Sequence, residues 1–228
     1  MTLKKDNAII DIQTDLETLA NLVLEQLDLM EHIINSGEPV IPDNILKKIE
    51  QNEKGIDKRE VKLSNKIVNT IVLYQPVASD LRRIIASYRI ILNLERISDL
   101  VINVTNFYAK IKTPEVYLKL QDLVVNMTTE SIKMVRKSLL SFLNDDKEFA
   151  GWTIKNEVVF DEFNHKLLKK IFAKIDATEY DKHMLMSIIT IKEMMSSIER
   201  IADHSTNIAE AAIYSIEGKD IRHLKFEE

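Results

Sequence analysis

The chain contains no cysteine. That excludes disulfides, thiolate-bound metal and a cysteine nucleophile, and it fits a reducing compartment. Glycine and proline are almost as scarce, four of each in 228 residues, and aromatic side chains make up only 6%. Sheet proteins need frequent turn residues and draw on aromatic side chains. A chain with so few of them, rich instead in Ile, Leu, Met, Lys and Glu, is predicted to be all-α. Positive charge is in deficit: the net charge is −5 and the isoelectric point is near 5.7. Nucleic acid is therefore not an expected partner, because its phosphates would be repelled. No apolar run reaches the roughly 18 residues of a membrane span, and no secretory signal is recognisable. These absences predict a cytoplasmic protein. No Gly-rich phosphate loop, Walker motif or nucleophile–base arrangement is present, which predicts a protein without catalytic turnover.

What is present is 45% hydrophobic residues, enough for one large core or two small ones. The rare Gly and Pro act as punctuation. Breaks fall at Gly37 to Pro42, at Gln75-Pro76, at Thr113-Pro114, at Asn144-Asp145-Asp146, across Asp176 to Asp181, and at Gly218. Thr113-Pro114 reads as an N-cap with proline at the first helical position, and Gly218 as a helix C-cap. Six helices are expected between these breaks, over about 4–35, 43–73, 77–111, 115–143, 148–175 and 180–216. The organisation read from this is two tandem antiparallel three-helix bundles, 1–112 and 113–228, related by an internal repeat.

The repeat is explicit in the acidic residues. Glu95-Arg96-Ile97-Ser98-Asp99 recurs as Glu199-Arg200-Ile201-Ala202-Asp203, and Glu53 with Asp57 recurs as Glu157 with Asp161, all at an offset of 104 positions. Residues 51–67 and 155–171 also match at other places, for instance Lys62 with Lys166 and Ile67 with Ile171. The first helix of each unit shows no comparable match. Glu53 and Asp57 interrupt an apolar stripe of the second helix, and Glu95 and Asp99 interrupt one of the third, at positions where inward-facing aliphatics are expected.

An antiparallel hairpin brings together residues equidistant from its turn. Glu53 and Asp99, and equally Asp57 and Glu95, are centred on Pro76. In the second unit, Glu157 with Asp203 and Asp161 with Glu199 are both centred on Tyr180. Four carboxylates are thus expected to converge in each unit. Like charges a turn apart repel, and desolvated ones do so at much greater cost, so something positive is expected among them. Shared protons, the neighbouring Arg96 and Arg200, and bound metal ions all remain open. The donor set suits iron, manganese, zinc, magnesium or calcium without choosing between them.

Other features bear on this reading. Asp11 and Asp15 have the same spacing, yet the offset carries them to Glu115 and Lys119, so that pair is not repeated. Arg82, Arg89 and Arg96 lie seven apart beside the acidic stripe, either as a solvated face or internal ion pairs or as a docking strip for an acidic partner. His165 follows Asp161 by one turn and could extend the second cluster; His204 follows Asp203. Met184, Met186, Met194 and Met195 read as core filler, and Trp152 as a residue packing the boundary between the units.

At the paired acidic motifs the chain resembles the PhoU family, the phosphate transport system regulatory proteins. The resemblance extends through Gln75-Pro76-x-Ala78-x-Asp80-Leu81-Arg82 and through Asp203-His204 to Asn207-Ile208-Ala209-Glu210, Tyr214 and Gly218. The family's usual glycine between Ile and Asp is here Ser98 and Ala202. The resemblance implies two three-helix bundles carrying one multinuclear iron or zinc cluster per repeat. It implies Glu53, Asp57, Glu95, Asp99, Glu157, Asp161, Glu199 and Asp203 as metal ligands. It further implies a cytoplasmic homodimer that represses the phosphate-starvation response, standing between the ATPase subunit of the Pst phosphate transporter and a sensor histidine kinase. Contact with the membrane would come only through these partners. Two alternatives compete: a ferritin-like di-metal oxidase or store, and an accessory subunit of another phosphate permease. The ferritin-like site needs two Glu-x-x-His elements, and only Glu162-x-x-His165 fits.

Overall fold

The computed structural model describes residues 2–172 and 181–222. The described residues form six helices: α1 (Thr2–Ser36), α2 (Asp43–Tyr74), α3 (Ala78–Tyr108), α4 (Pro114–Leu143), α5 (Lys147–Phe172) and α6 (Lys182–Glu217). Among these residues there is no strand.

Local chemistry sets the helix ends. The Asp146 carboxylate accepts from the backbone N–H of Glu148 and Phe149 and starts α5. Asp181 accepts from Met184 N and starts α6. Such caps contribute about 1 kcal/mol each. At α4 the outcome differs from expectation. Pro114 does begin the helix, but the Thr113 hydroxyl makes no cap bond. The backbone N–H groups of Lys112 and Thr113 instead donate to Ser187 Oγ of α6, so this helix start is tied to the end of the molecule at which α6 begins. Gly218 takes the left-handed conformation, φ 72°, and its N–H bonds the Tyr214 carbonyl. The chain can therefore turn back at once.

Helices α1, α2 and α3 pack together as one bundle, and α4, α5 and α6 as a second. The most extensive contact of all joins α3 to α6. One continuous core consequently runs through both units, with Leu27, Ile91, Leu94, Val135, Ile198 and Ile201 all inaccessible to water. Burying such a side chain contributes about 1.5–3 kcal/mol. α6 presents small residues to its neighbours, Ala202, Ser205, Ala209 and Ala212, and its buried Ser205 hydroxyl is satisfied by the Ala202 carbonyl a turn back. At the opposite end Tyr117 OH donates to the Ile34 carbonyl and Tyr108 OH to that of Glu38, while the two rings meet edge-on at 5.0 Å. This pins the α3–α4 connection to the end of α1.

Two core expectations are corrected. Met194 and Met195 are buried, but Met186 is 51% exposed. Trp152 packs within the second unit rather than at the boundary: it is half-buried, with Lys133 and Lys137 of α4 over its ring, Lys137 at 3.7 Å.

Candidate metal centres

The α2–α3 hairpin turns over Gln75-Pro76-Val77. Gln75 adopts the left-handed conformation that stops α2, and proline prevents continuation of the helix. With the turn at Pro76, Glu53 comes to face Asp99, and Asp57 to face Glu95. Their charges act on one another accordingly. Burial pushes the Glu53 carboxyl up, helped by Asp57 and Asp99. Burial also raises Glu95, aided by Asp99 and Asp57 against the pull of Arg96. Asp99 is raised by burial, opposed by Arg96, and raised further by Asp57. Arg96 is the resident counter-charge, with Nε 3.3 Å from Glu95 and Nη1 3.5 Å from Asp99. These acids lie on the flank of the core rather than inside it: Glu53, Glu95 and Asp99 are half-buried and Asp57 is exposed.

The second hairpin repeats the arrangement in a less solvated form. Its turn near Tyr180 lies outside the described residues. Burial, then Asp203 and Asp161, push Glu157 up to about 7. Burial, Asp161 and Glu199 push Asp203 up to about 6, against Arg200. Glu199 is raised by burial and by Asp161, with His165 and Lys192 opposing. Burial alone raises Asp161. The Asp161 Oδ1 atom is buried and has no hydrogen-bond partner among the described residues. A buried carboxylate oxygen without a donor is costly, and a cation would relieve that cost.

Sequence reasoning missed Glu210, whose charge also acts on Glu157. It lies seven residues beyond Asp203 on the same helix, two turns along the stripe, and the repeat places Asn106 at the matching position. The two clusters are therefore not chemically equal.

As a metal site the donor set is all oxygen, half-buried, and on each hairpin drawn from two facing helices, which suits a hard or borderline cation. Among the described residues no three acidic or histidine side chains stand together as a ready-made site. Glu162 and His165 are exposed, although the His165 charge reaches Glu199. His204 is turned away from the carboxylates. Its Nδ1 lies 2.9 Å from Asn93 Oδ1 of α3, and Asn93 Nδ2 donates to the Arg89 carbonyl, so His204 Nδ1 is the donor.

The three arginines are each taken up separately within the chain. Arg96 serves the first cluster. Arg89 lies over the Tyr214 ring and pairs with Asp220. Arg82 packs against Gly218. Asp15 pairs with Lys66 of α2 at 2.7 Å, so this acid of the unrepeated pair has a cation of its own.

A family model described as the PhoU domain matches this chain twice, over residues 16–107 and 124–212, one match to each bundle. The chain belongs to the PhoU family. It is 32% identical over 213 residues to a phosphate-specific transport system accessory protein PhoU homolog of Aquifex aeolicus, covering 92% of this chain and 91% of that one. A homolog of the same description from a Burkholderia species is 26% identical over 219 residues, covering 94% and 92%. The crystal structure of PhoU from Pseudomonas aeruginosa superposes with a TM-score of 0.81 at 22% identity, covering 94% of this chain and 99% of that one. The PhoU architecture of paired three-helix bundles is thus shared over 94% of this chain. Among the described residues no helix is long and apolar enough to cross a membrane.

Proposed function

We propose that this chain is a metal-binding accessory protein of a phosphate-specific transport system that represses the phosphate-starvation response when phosphate is plentiful. The observation that carries the metal reading is the convergence of eight carboxylates in two sets of four, with burial raising seven of them and Asp161 Oδ1 left without a donor among the described residues. Glu53, Asp57, Glu95 and Asp99 would hold one cluster, and Glu157, Asp161, Glu199 and Asp203 the other. A bound cation supplies the positive charge that lets these side chains turn toward one another. Iron or zinc, one multinuclear cluster per repeat, is the occupant we favour.

The transport role is supported by family membership and by the names of the relatives, each called a phosphate-specific transport system accessory protein. On this reading the chain works in the cytoplasm as a homodimer. It contacts the transporter's ATPase subunit and a phosphate-sensing histidine kinase, and it reaches the membrane only through them. Catalysis has little support: a di-metal oxidase needs two Glu-x-x-His elements, and here Glu162 of the one such element is exposed. Deleting the gene and measuring alkaline phosphatase in phosphate-rich medium tests the role. Derepression is expected, and unchanged expression would refute it.

A further inference from the structure

After Gly218 the chain folds back along α6, and the four residues that follow make contacts with α3 and α5 as well. Ile221 is 5% exposed and forms a small core of its own with Ala150 and Ile154 of α5 and Ala209 of α6, separate from the main core. Asp220 accepts from Arg89 of α3 at 3.4 Å, across 131 residues of sequence, and from Arg222 at 2.6 Å. Arg89 is set for this by lying 4.7 Å above the Tyr214 ring.

This small core matters for the second cluster. Between Lys147 and Glu157, the buried apolar side chains of α5 are Ala150 and Ile154, both walled by Ile221, while Trp152 reaches the main core from the other side. Ile154 precedes Glu157 by one helical turn, and residues at that spacing share a face. The α2 helix of the first unit is held differently: Ile49 and Ile56, which bracket Glu53, both belong to the main core, whereas at the matching places of α5 only Phe160 does, Thr153 being buried but polar.

We propose that residues 219–222 are a latch that sets the position of α5, and with it Glu157, in the second carboxylate cluster, Ile221 being its positioning residue and Asp220 its tie to the first unit. The metal-affinity half of this proposal rests on the metal reading above. The packing half does not.

Hydrogen–deuterium exchange of the whole metal-free chain tests the packing half. Ile221→Ala should speed exchange over residues 147–158 by roughly tenfold, as loss of a local packing contact does, and leave 43–60 unchanged; Ile221→Val should stay near the parent. Asp220→Asn should act in the same direction with smaller size. Mn2+ titration tests the rest. In a chain whose first cluster is removed by Asp57→Asn with Asp99→Asn, Ile221→Ala should weaken Mn2+ binding several-fold. In a chain whose second cluster is removed by Asp161→Asn with Asp203→Asn, it should have no effect. Unchanged exchange over 147–158 would overturn the latch, and so would equal effects on the two clusters. If the parent chain takes up no Mn2+ at all, the metal reading fails, and the exchange comparison alone decides the latch.

Discussion

The Asp203 carboxylate of α6 faces Glu157 of α5, where burial, reinforced by that neighbouring charge, holds Glu157 protonated up to about pH 7. Asp203 is itself raised to about 6, by burial and by Asp161 and Glu199. Both folded-state values lie above those of the unfolded chain. Between pH 4 and pH 7 the folded protein therefore binds more protons than the unfolded one, and stability falls as pH rises through that window. Metal-free protein is expected to melt higher at pH 5.5 than at pH 8, by roughly 2–4 °C for each kcal/mol involved in a chain of this size. Glu157→Gln should flatten the profile. Metal-loaded protein should show the opposite slope, because protons compete with the ion. Thermal melts across pH, with and without chelator, check both signs.

Asp57→Asn with Asp99→Asn removes two charges from the first cluster. In metal-free protein the change should be neutral to slightly stabilising, since repulsion is relieved while Arg96 keeps Glu95. With ions present, bound metal and the stability that binding supplies should both be lost. Asp11→Asn with Asp15→Asn removes the same charge elsewhere. It gives up the Asp15–Lys66 pair and should cost up to about 1 kcal/mol without touching metal content. Melting temperature and plasma mass spectrometry on both variants separate the two effects.

Ser98 stands where the family commonly has glycine. Its hydroxyl donates to Gln26 Oε1 at 2.7 Å, both residues are fully buried, and Gln26 Nε2 reaches the Ile49 carbonyl of α2. Ser98→Ala would strand the amide oxygen and should cost about 1–3 kcal/mol, read by denaturant melts. Ser98→Ala with Gln26→Leu should recover part of that loss.

Tyr117→Phe removes the donor to the Ile34 carbonyl at the end of α1. Gln121 Nε2 also approaches that carbonyl, at 3.4 Å, so the expected loss stays near 1 kcal/mol. Metal content should not change.

The helix boundaries were readable because so few glycines and prolines interrupt the chain, and the facing of the acids followed from the placing of Pro76. What one-dimensional periodicity could not supply was the depth of each face. The stripes marked Glu53 and Asp99 as inward, yet in the fold they lie on the flank of the core, because a stripe records direction and not what packs over it. The fusion of the two units into one core did leave a trace. α3 buries a face wider than a single stripe, from Ile84 and Ala86 through Ile90, Ile91 and Leu94, a breadth that a helix packed only within its own bundle would not need. Asn93 with His204, Glu210 beside Glu157, and the Asp220–Arg89 tie join residues distant in sequence or outside the repeated motifs, so no spacing rule pointed to them.

The central claim is that the two sets of four carboxylates bind metal ions, and elemental analysis tests it most directly. Protein purified without added metal or chelator would be measured by plasma mass spectrometry beside Asp57→Asn with Asp99→Asn, Asp161→Asn with Asp203→Asn, and the combination of all four. The account predicts iron or zinc in the parent, a partial loss in each double variant and none in the fourfold variant. Equal metal content in all four proteins, or none in the parent even after loading with iron or zinc, would contradict it.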